Sequence, residues 1–298
     1  MKQKPRILVT GGSGFLGWNL LGKCTDLFEI YALRHSSPLP EHLPIHILDA
    51  DMYRPDILAD MIRKTPADVI IHAAALSRTS ACESNPGIAH QLNVEATRAI
   101  LEATDPAKTR FLYISTDLVF DGCKGFYNEQ DEPKPVMVYG KTKWEAEKLV
   151  RSWGENHVIL RLALMYGPPS QAYASFLGWL EKSLKKGQVN LFKDEWRTPL
   201  YVGDAACALI KLIKVEYSGI LHLGGAKRCS RYEFGIEFAR QADYEIKAIR
   251  GMRQEEAHLD SSRPSDVSLD SSLARDILEW SPRDFRVGIR EYLREVSK

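Results

Sequence analysis

The chain has 298 residues, 40 Lys and Arg against 39 Asp and Glu, and 44% hydrophobic residues. This length accommodates one large α/β unit or two closely joined domains, and either buries a sizeable core. The formal net charge of +1 leaves no basic excess for holding a polyanion, so nucleic acid is excluded as the main partner.

Short β-branched runs alternate with longer helical patterns along the chain, and this alternation predicts a parallel sheet. The predicted strands cover residues 6–10, 29–34, 45–48, 68–72, 110–115, 157–161 and 220–223. The predicted helices cover residues 14–24, 55–64, 87–102 and 138–153. Most of the strands are apolar throughout, as strands buried on both faces are. We therefore expect an α/β fold with a Rossmann-type, doubly wound parallel sheet.

The pattern loosens after Gly167, where aromatic-rich helical stretches are interrupted by Pro and Gly. We expect a dinucleotide-binding Rossmann domain over residues 1–165 and a smaller α/β unit, mainly for substrate binding, over residues 166–298. The run 219–225 predicts one strand that returns to the first sheet. Residues 255–270 are typical of a loop, followed by helices near 271–278 and 284–296.

The N-terminus lacks the layout of a signal peptide, and the longest apolar stretches fall short of the roughly 20 residues that a membrane span needs. The five cysteines have no Cys-x-x-Cys spacing, which favours neither a disulfide framework nor a zinc site. We expect a cytoplasmic protein with reduced thiols, no metal and no membrane partner.

The first predicted strand ends in Thr10-Gly-Gly-Ser-Gly-Phe-Leu-Gly17 and opens a helix. The run satisfies both G-x-x-G-x-x-G and G-x-G-x-x-G, and glycines in this context allow a tight turn and a close approach of pyrophosphate to a helix N-terminus. The residues predicted to hold a dinucleotide here are Gly11, Ser13, Gly14, Phe15, Leu16 and Gly17.

The end of the second strand distinguishes between dinucleotides, because an acidic residue would bind the ribose 2′-hydroxyl and a basic one suits the 2′-phosphate. Here Arg34 can pair with a phosphate, and Ser36 and Ser37 can donate to it. NADPH is therefore predicted over NADH, with NAD left as an alternative. The competing interpretation is that Arg34 is a solvated residue at the strand end.

Tyr139 and Lys143 lie four residues apart, on one face of a predicted helix. An ammonium group there favours the phenolate and makes Tyr139 a better proton donor and acceptor. Upstream, Ser115 and Thr116 fall at the carboxyl edge of the sheet, where open α/β sheets bind ligands. These residues predict a site for carbonyl reduction, in which Thr116 orients the carbonyl, Tyr139 delivers the proton, and Lys143 holds the ribose and tunes Tyr139.

The same residues resemble the extended short-chain dehydrogenase/reductases, and within them the sugar-nucleotide reductases that are similar to dTDP-4-dehydrorhamnose reductase. The resemblance covers nearly the whole chain and includes the glycine run at 9–17 and Asp-Val-Ile-Ile-His-Ala-Ala-Ala at 68–75. Its most specific parts are Ser-Thr-Asp-Leu-Val-Phe-Asp-Gly at 115–122 and Tyr-Gly-Lys-Thr-Lys at 139–143.

The resemblance implies further site residues. Cofactor contacts would come from Asp51, Met52, Ala73, Ala74, Ala75, Asn93 and Ser115, in addition to Tyr139 and Lys143. Substrate contacts would come from Ser77, Asp117, Val119, Phe120, Arg197 and Arg263. The two arginines suit a nucleotide diphosphate, although surface ion pairing would account for them equally well.

The resemblance implies an NADPH-dependent reductase that acts on a keto-sugar nucleotide, with a homodimer as an option. One alternative is an NAD-dependent epimerase or dehydratase of the same superfamily, and the Ser-Thr-Asp-x-Val-Phe run and Arg34 favour a reductase over it. Another is a regulatory subunit that binds NADP and resembles the β subunit of methionine adenosyltransferase. The joint presence of Thr116, Tyr139 and Lys143 favours an enzyme over this second alternative.

Overall fold

The computed structural model describes residues 4–173, 175–257 and 263–296. In these ranges the strands are β1 (Arg6–Thr10), β2 (Glu29–Arg34), β3 (His46–Asp49), β4 (Val69–His72), β5 (Arg110–Thr116), β6 (His157–Leu162), β7 (Met165–Tyr166), β8 (Val189–Phe192), β9 (Trp196–Arg197), β10 (Leu200–Tyr201), β11 (Gly219–Leu223), β12 (Cys229–Ser230) and β13 (Ile249–Met252). The α-helices are α1 (Phe15–Cys24), α2 (Pro55–Lys64), α3 (Thr79–Ser84), α4 (Pro86–His90), α5 (Ala96–Glu102), α6 (Val138–Trp153), α7 (Phe176–Lys185), α8 (Val202–Leu212), α9 (Arg231–Gln241), α10 (Ser272–Leu278) and α11 (Phe285–Val296).

A seven-stranded sheet with the order β11-β6-β5-β4-β1-β2-β3 forms the centre of the molecule. All neighbouring strands in it are parallel. The chain proceeds from β1 toward one edge through β2 and β3, and then returns to β4 on the other side of β1. The strand order therefore reverses between β1 and β4, which is where doubly wound sheets bind ligands. The predicted Rossmann-type parallel sheet is confirmed.

Helices cover both faces of this sheet because its strands carry apolar side chains on both sides. On β1, Ile7 and Val9 pack into one cluster with residues of α1 and α8, whereas Leu8 packs into another with residues of α2, α5 and α6. Successive side chains of a strand point to opposite faces, so this alternation buries β1 from Ile7 to Thr10. The carboxyl edge of the sheet is thereby held in a fixed position.

The helix predicted over residues 87–102 is divided in the structure. It consists of α4, a π-helical turn over Gln91–Glu95 and then α5. A π-turn accommodates one extra residue and occurs often at functional sites. The extra residue shifts the helical period at one point only, so an apolar pattern taken over the whole segment does not reveal the turn.

The later part of the chain has its own apolar cluster, which α7, α9 and α11 form with β8 and β13. Strand β11 comes from this later part, yet it pairs in parallel with β6 in the central sheet. The division into two functional units near residue 165 stays a prediction. The predicted loop at 255–270 lies partly outside the described residues, at 258–262.

None of the helices in the described ranges is both long and apolar enough to span a membrane. Cys24, Cys82 and Cys229 are buried, Cys123 and Cys207 are exposed, and all five are free thiols.

Candidate active site

A cavity of about 570 Å³ opens at the carboxyl edge of the central sheet. This volume is in the range of sites that bind small organic ligands. The structure brings most of the predicted site residues together in its lining, namely Gly11, Ser13, Gly14, Phe15, Leu16, Gly17, Ser36, Met52, Ala73, Ala74, Ala75, Ser77, Ser115, Thr116, Asp117, Tyr139, Lys143, Arg197 and Arg263.

The glycine loop after β1 packs tightly against its surroundings. Gly11 has a φ of +71°, and a Cβ atom on it would lie 2.6 Å from the backbone nitrogen of Ala74. A Cβ atom on Gly17 would collide with the carbonyl oxygen of Gly11. Only glycine therefore lets the loop, the start of α1 and the chain after β4 approach each other this closely.

The first turn of α1 faces the cavity without a side-chain cap. Gly14 is the N-cap residue and cannot accept a hydrogen bond through a side chain, and the first turn contains no acidic residue. Its N–H groups are therefore left for a ligand, at the positive end of the helix dipole. This cradle fits the pyrophosphate of a dinucleotide.

The end of β2 meets the cavity through Ser36 rather than through Arg34. Ser36 lines the cavity. The guanidinium of Arg34 points to β3 and donates to Asp49, from Nε at 2.7 Å and from Nη2 at 3.0 Å. Arg34 thus lies beside the cavity lining in this structure, because a carboxylate on the adjacent strand holds it.

Asp51 also lies outside the lining, although Met52 next to it belongs to the lining. A carboxylate oxygen of Asp51 accepts a hydrogen bond from the amide of Tyr53 at 2.9 Å and lies 3.2 Å from Nε2 of His35. The carboxylate therefore stabilises the loop after β3.

Two hydroxyl groups at the end of β5 differ in where their protons go. The hydroxyl of Ser115 donates to the buried carboxylate of Glu147 at 2.5 Å. Thr116 Oγ1 accepts from the amide of Leu118 at 3.2 Å, and its proton makes a longer contact, also 3.2 Å, with the carboxylate of Asp117. Thr116 is therefore the hydroxyl whose proton can turn toward a carbonyl in the cavity, while Ser115 offers an acceptor.

Tyr139 and Lys143 extend from the first turns of α6. Enclosure in the cavity wall raises the pKa of Tyr139, and the nearby charge of Asp117 raises it further. Burial lowers the pKa of Lys143 to about 7, although the carboxylate of Glu147 opposes this shift. At neutral pH the phenol is therefore protonated, and the lysine is close to its titration midpoint.

Asn93 supports the cavity from behind rather than lining it. It sits in the π-turn, accepts from the amide of Leu76 at 2.8 Å, and donates to the carbonyl of Leu76 at 3.2 Å. It also donates to Thr142 Oγ1 at 3.0 Å. Since Leu76 belongs to the lining, the π-turn joins the wall of the cavity to α6.

Val119 and Phe120 are core residues, which corrects their prediction as substrate contacts. Both are fully buried and pack with Tyr127, Val267 and Leu269, outside the cavity lining. After Asp117 the chain forms a short 3₁₀ turn over Asp117–Val119, and this turn directs the apolar side chains into the core.

Charged side chains surround Glu195 at the opposite end of the cavity. Arg231 Nε donates to its carboxylate at 2.9 Å, Arg197 Nη2 lies at 3.3 Å, and Arg263 Nη1 at 3.9 Å. Burial alone would raise the pKa of Glu195, but the three guanidinium groups outweigh it and hold the pKa at about 2. Glu195 is therefore ionised and fixes the arginines in place.

Asp117 lies between this cluster and Tyr139. Its Oδ2 atom is 3.7 Å from Arg197 Nε and has no hydrogen-bond partner among the described residues. Burial raises the pKa of Asp117, against the opposing effect of Arg197. Three guanidinium groups against two carboxylates leave a net positive charge at this end, which suits an anionic ligand.

The sequence analysis missed Glu195 and Arg231, which both line the cavity. Glu195 stands two residues before the predicted Arg197, and that proximity was the one local signal. Arg231 begins α9, and no motif marks it. In the described ranges, no group of three His, Cys, Asp or Glu side chains is placed to hold a metal ion.

The doubly wound sheet, the uncapped helix behind a glycine loop, and the Tyr139–Lys143 pair at the carboxyl edge define a member of the short-chain dehydrogenase/reductases. Within that class, the chain belongs to the family described as the RmlD substrate binding domain, which matches residues 5–298.

Relatives and solved structures are similar over nearly the full length. The probable low-salt glycan biosynthesis reductase Agl14 of Haloferax volcanii is 28% identical over 269 residues, 89% of each chain. The methionine adenosyltransferase 2 subunit beta of Xenopus tropicalis is 29% identical over 97% of this chain and 87% of its own. The crystal structure of a dTDP-4-dehydrorhamnose reductase from Bacillus anthracis in complex with NADP superimposes with a TM-score of 0.85, at 23% identity, covering 98% of this chain and 100% of that one.

Proposed function

We propose that the protein is an NADPH-dependent reductase that converts the keto group of a sugar nucleotide to a hydroxyl group. The most suitable substrate class is a 4-keto-6-deoxyhexose linked to dTDP. One observation carries this proposal: Thr116, Tyr139 and Lys143 share a cavity that has a phosphate cradle at one end and guanidinium groups at the other. Membership of the RmlD substrate binding domain family supports it.

The cofactor end fits NADPH. The free N–H groups of α1 receive the pyrophosphate, and Met52 and Ala73–Ala75 line the space beside it. Ser36 and Ser37 supply donors for the 2′-phosphate, and Arg34 supplies charge once its guanidinium turns from Asp49. When bound, the nicotinamide supplies the hydride that the carbonyl carbon accepts.

The chain's own residues handle the proton. Thr116 Oγ1 donates a hydrogen bond to the carbonyl oxygen, and Tyr139 transfers its phenolic proton to that oxygen as negative charge develops on it. Lys143 holds the ribose hydroxyls and stabilises the phenolate that Tyr139 becomes. The raised pKa of Tyr139 means that it carries the proton that a reduction consumes.

The substrate end receives the nucleotide diphosphate. Arg197 and Arg263 are the donors that face it, and Glu195 holds both in position. Guanidinium groups bind phosphate oxygens in a bidentate manner, and the net positive charge of the cluster favours a dianionic group over a neutral sugar.

A regulatory subunit that binds NADP is the second candidate. The observation in its favour is the 29% identity over 97% of this chain to a methionine adenosyltransferase 2 subunit beta. Such a subunit would use the cofactor end of the cavity without turning over a keto sugar.

The experiment is NADPH oxidation by the purified protein with dTDP-4-keto-6-deoxy-L-mannose, run beside NADH and beside Tyr139→Phe. We expect turnover that prefers NADPH and falls by roughly 100-fold or more in the variant, which is the range that general acid catalysis contributes. Tight NADPH binding without oxidation by this or related keto-sugar nucleotides would contradict the reductase. A stable complex with a partner enzyme would then favour the regulatory subunit.

A further inference from the structure

A buried ion pair lies behind Tyr139 and Lys143, and the proposed reaction does not use it. Glu147 follows Lys143 by one turn of α6 and is completely buried, and Arg161 of β6 is 1% exposed. Arg161 donates to the carboxylate from Nη2 at 2.7 Å and from Nε at 3.1 and 3.2 Å. Burying two charges is costly unless the geometry is good, and here the carboxylate is well satisfied.

The hydrogen bonds around this pair have fixed directions. Nδ1 of His222 donates to the carbonyl of Tyr127 at 2.9 Å, which leaves Nε2 to accept from Arg161 Nη1 at 3.3 Å. Burial lowers the pKa of His222 to about 3, so the ring is neutral, as this arrangement requires. Glu147 can only accept, and the proton of Ser115 Oγ is therefore committed to it.

Lys143 has few charged neighbours besides Glu147. From β5 the ring of Tyr113 lies 4.0 Å from its Nζ atom, and from β4 the neutral His72 faces it, with a pKa that burial and Lys143 lower to about 3. On α6 itself the neighbours are Tyr139 and Glu147. The negative charge that favours the ammonium form is that of Glu147.

We infer that Glu147 is a positioning residue that favours the charged form of Lys143 and fixes Ser115 as a hydrogen-bond acceptor toward the cavity, while Arg161 holds the Glu147 carboxylate in place. The inference rests on the proposed function for its consequence, because ribose binding and stabilisation of the Tyr139 phenolate both require an ammonium group. Glu147 contacts neither ligand and acts through Lys143 and Ser115.

The test is a titration of Lys143 in the unliganded protein, followed by ¹³C NMR of the lysine ε-carbons, with Lys143→Arg used to assign the signal. Glu147→Gln keeps the shape and removes the charge, whereas Glu147→Asp keeps the charge. We expect the midpoint of Lys143 to fall by roughly one pH unit or more in Glu147→Gln and to stay within a few tenths of a unit in Glu147→Asp. The matched control is Glu145→Gln, which changes a half-buried carboxylate on the same helix that pairs with His90.

Glu147→Gln leaves Arg161 without its partner, which destabilises the fold. The double variant Glu147→Gln with Arg161→Gln removes both charges. It replaces the single variant in the titration if the single variant does not fold. We expect the same direction of shift in it with a smaller size, because the removed guanidinium also repelled the ammonium group. An unchanged midpoint in either neutral variant would overturn the inference, as would an equal shift in Glu147→Asp.

Turnover separates this inference from the proposed function. In an active reductase, kcat should fall as the pH rises through the Lys143 midpoint, and Glu147→Gln should move that fall to lower pH. If the NMR midpoint shifts but the unaltered protein oxidises no NADPH with keto-sugar nucleotides, the role of Glu147 stands and the reductase proposal fails. If turnover is present and its pH profile is the same in Glu147→Gln, the inference fails and the reductase stands.

Discussion

The phosphate cradle at the cofactor end of the cavity is built from one continuous stretch of chain, and the substrate end from several distant ones. At the first end, residues 11–17 present backbone N–H groups between β1 and α1. At the second end, Asp117 follows β5, Glu195 precedes β9, Arg197 ends β9 and Arg231 begins α9, and ion pairs hold them together. The first end therefore depends on the absence of side chains, and the second on the balance of buried charges.

The largest effect should come from the charge balance at the substrate end. Glu195→Gln leaves three guanidinium groups around a neutral amide, and breaking a buried ion pair costs roughly 3–5 kcal/mol. We expect a lower free energy of unfolding and a higher KM for the keto sugar, with the Kd for NADPH changed by less than about threefold. Denaturant unfolding measures the free energy, initial rates of NADPH oxidation give the KM, and calorimetric titration gives the Kd for NADPH.

The effect of Glu195→Gln on stability should depend on pH. The folded pKa of Glu195 is about 2 against 4.5 for an unperturbed carboxyl, so its contribution is complete above pH 4.5 and is lost as the pH falls toward 2. Glu195→Gln should therefore lose less stability than the unaltered protein across that interval. The exposed Glu132, which pairs with Lys134, supplies Glu132→Gln as the control. If Glu195→Gln weakened NADPH binding by the same factor by which it raises the KM for the keto sugar, the two ends of the cavity would not be separate.

A smaller effect should follow from one methyl group at the cofactor end. In Gly17→Ala the new Cβ atom overlaps the carbonyl of Gly11, and overpacking of this kind costs roughly 1–3 kcal/mol. We expect NADPH affinity to fall by roughly 10- to 100-fold, because the loop must move away from the pyrophosphate. Gly22→Ala on the same helix has open space around it and should bind NADPH normally. Unaltered affinity in Gly17→Ala would show that the loop does not hold the cofactor.

The smallest effect should come from the pair that Arg34 makes with Asp49. This ion pair is exposed to solvent, so it contributes little to stability. Asp49→Asn should free the guanidinium and strengthen NADPH binding by up to about fivefold without a change for NADH, whereas Arg34→Ala should reduce the preference. The measurement is the ratio of the two Kd values. If the ratio were the same in the unaltered protein, in Asp49→Asn and in Arg34→Ala, Arg34 would have no part in the preference for NADPH. Ser36 and Ser37 would then be its source.

The difference between the two ends of the cavity also explains which features the sequence could predict. The glycine loop is contiguous, so its motif and the flanking strand and helix are visible together, and Thr116, Tyr139 and Lys143 follow from the end of one strand and one turn of a helix. The parallel sheet follows from the apolar runs. Each of these features is recognised from residues that lie close together along the chain.

The remaining features depend on the assembled fold. Glu195 and Arg231 belong to no local pattern, and their contact exists because β9 and the start of α9 meet. Val119 and Phe120 stand close to Thr116, which is predicted to be catalytic, but only the 3₁₀ turn decides that they face the core. The pairing of Arg34 with Asp49 depends on the register of β2 against β3, and the pattern of apolar residues does not reveal that register.

The central claim is that both ends serve one hydride transfer beside Tyr139. The most direct test is a single turnover with NADPH that carries deuterium at the transferred position of the nicotinamide and with dTDP-4-keto-6-deoxy-L-mannose. We expect mass spectrometry to find the deuterium on the former carbonyl carbon of the sugar, and Tyr139→Phe to slow the transfer by roughly 100-fold or more while NADPH still binds. A product without deuterium, or equal rates in the two proteins, would contradict the account.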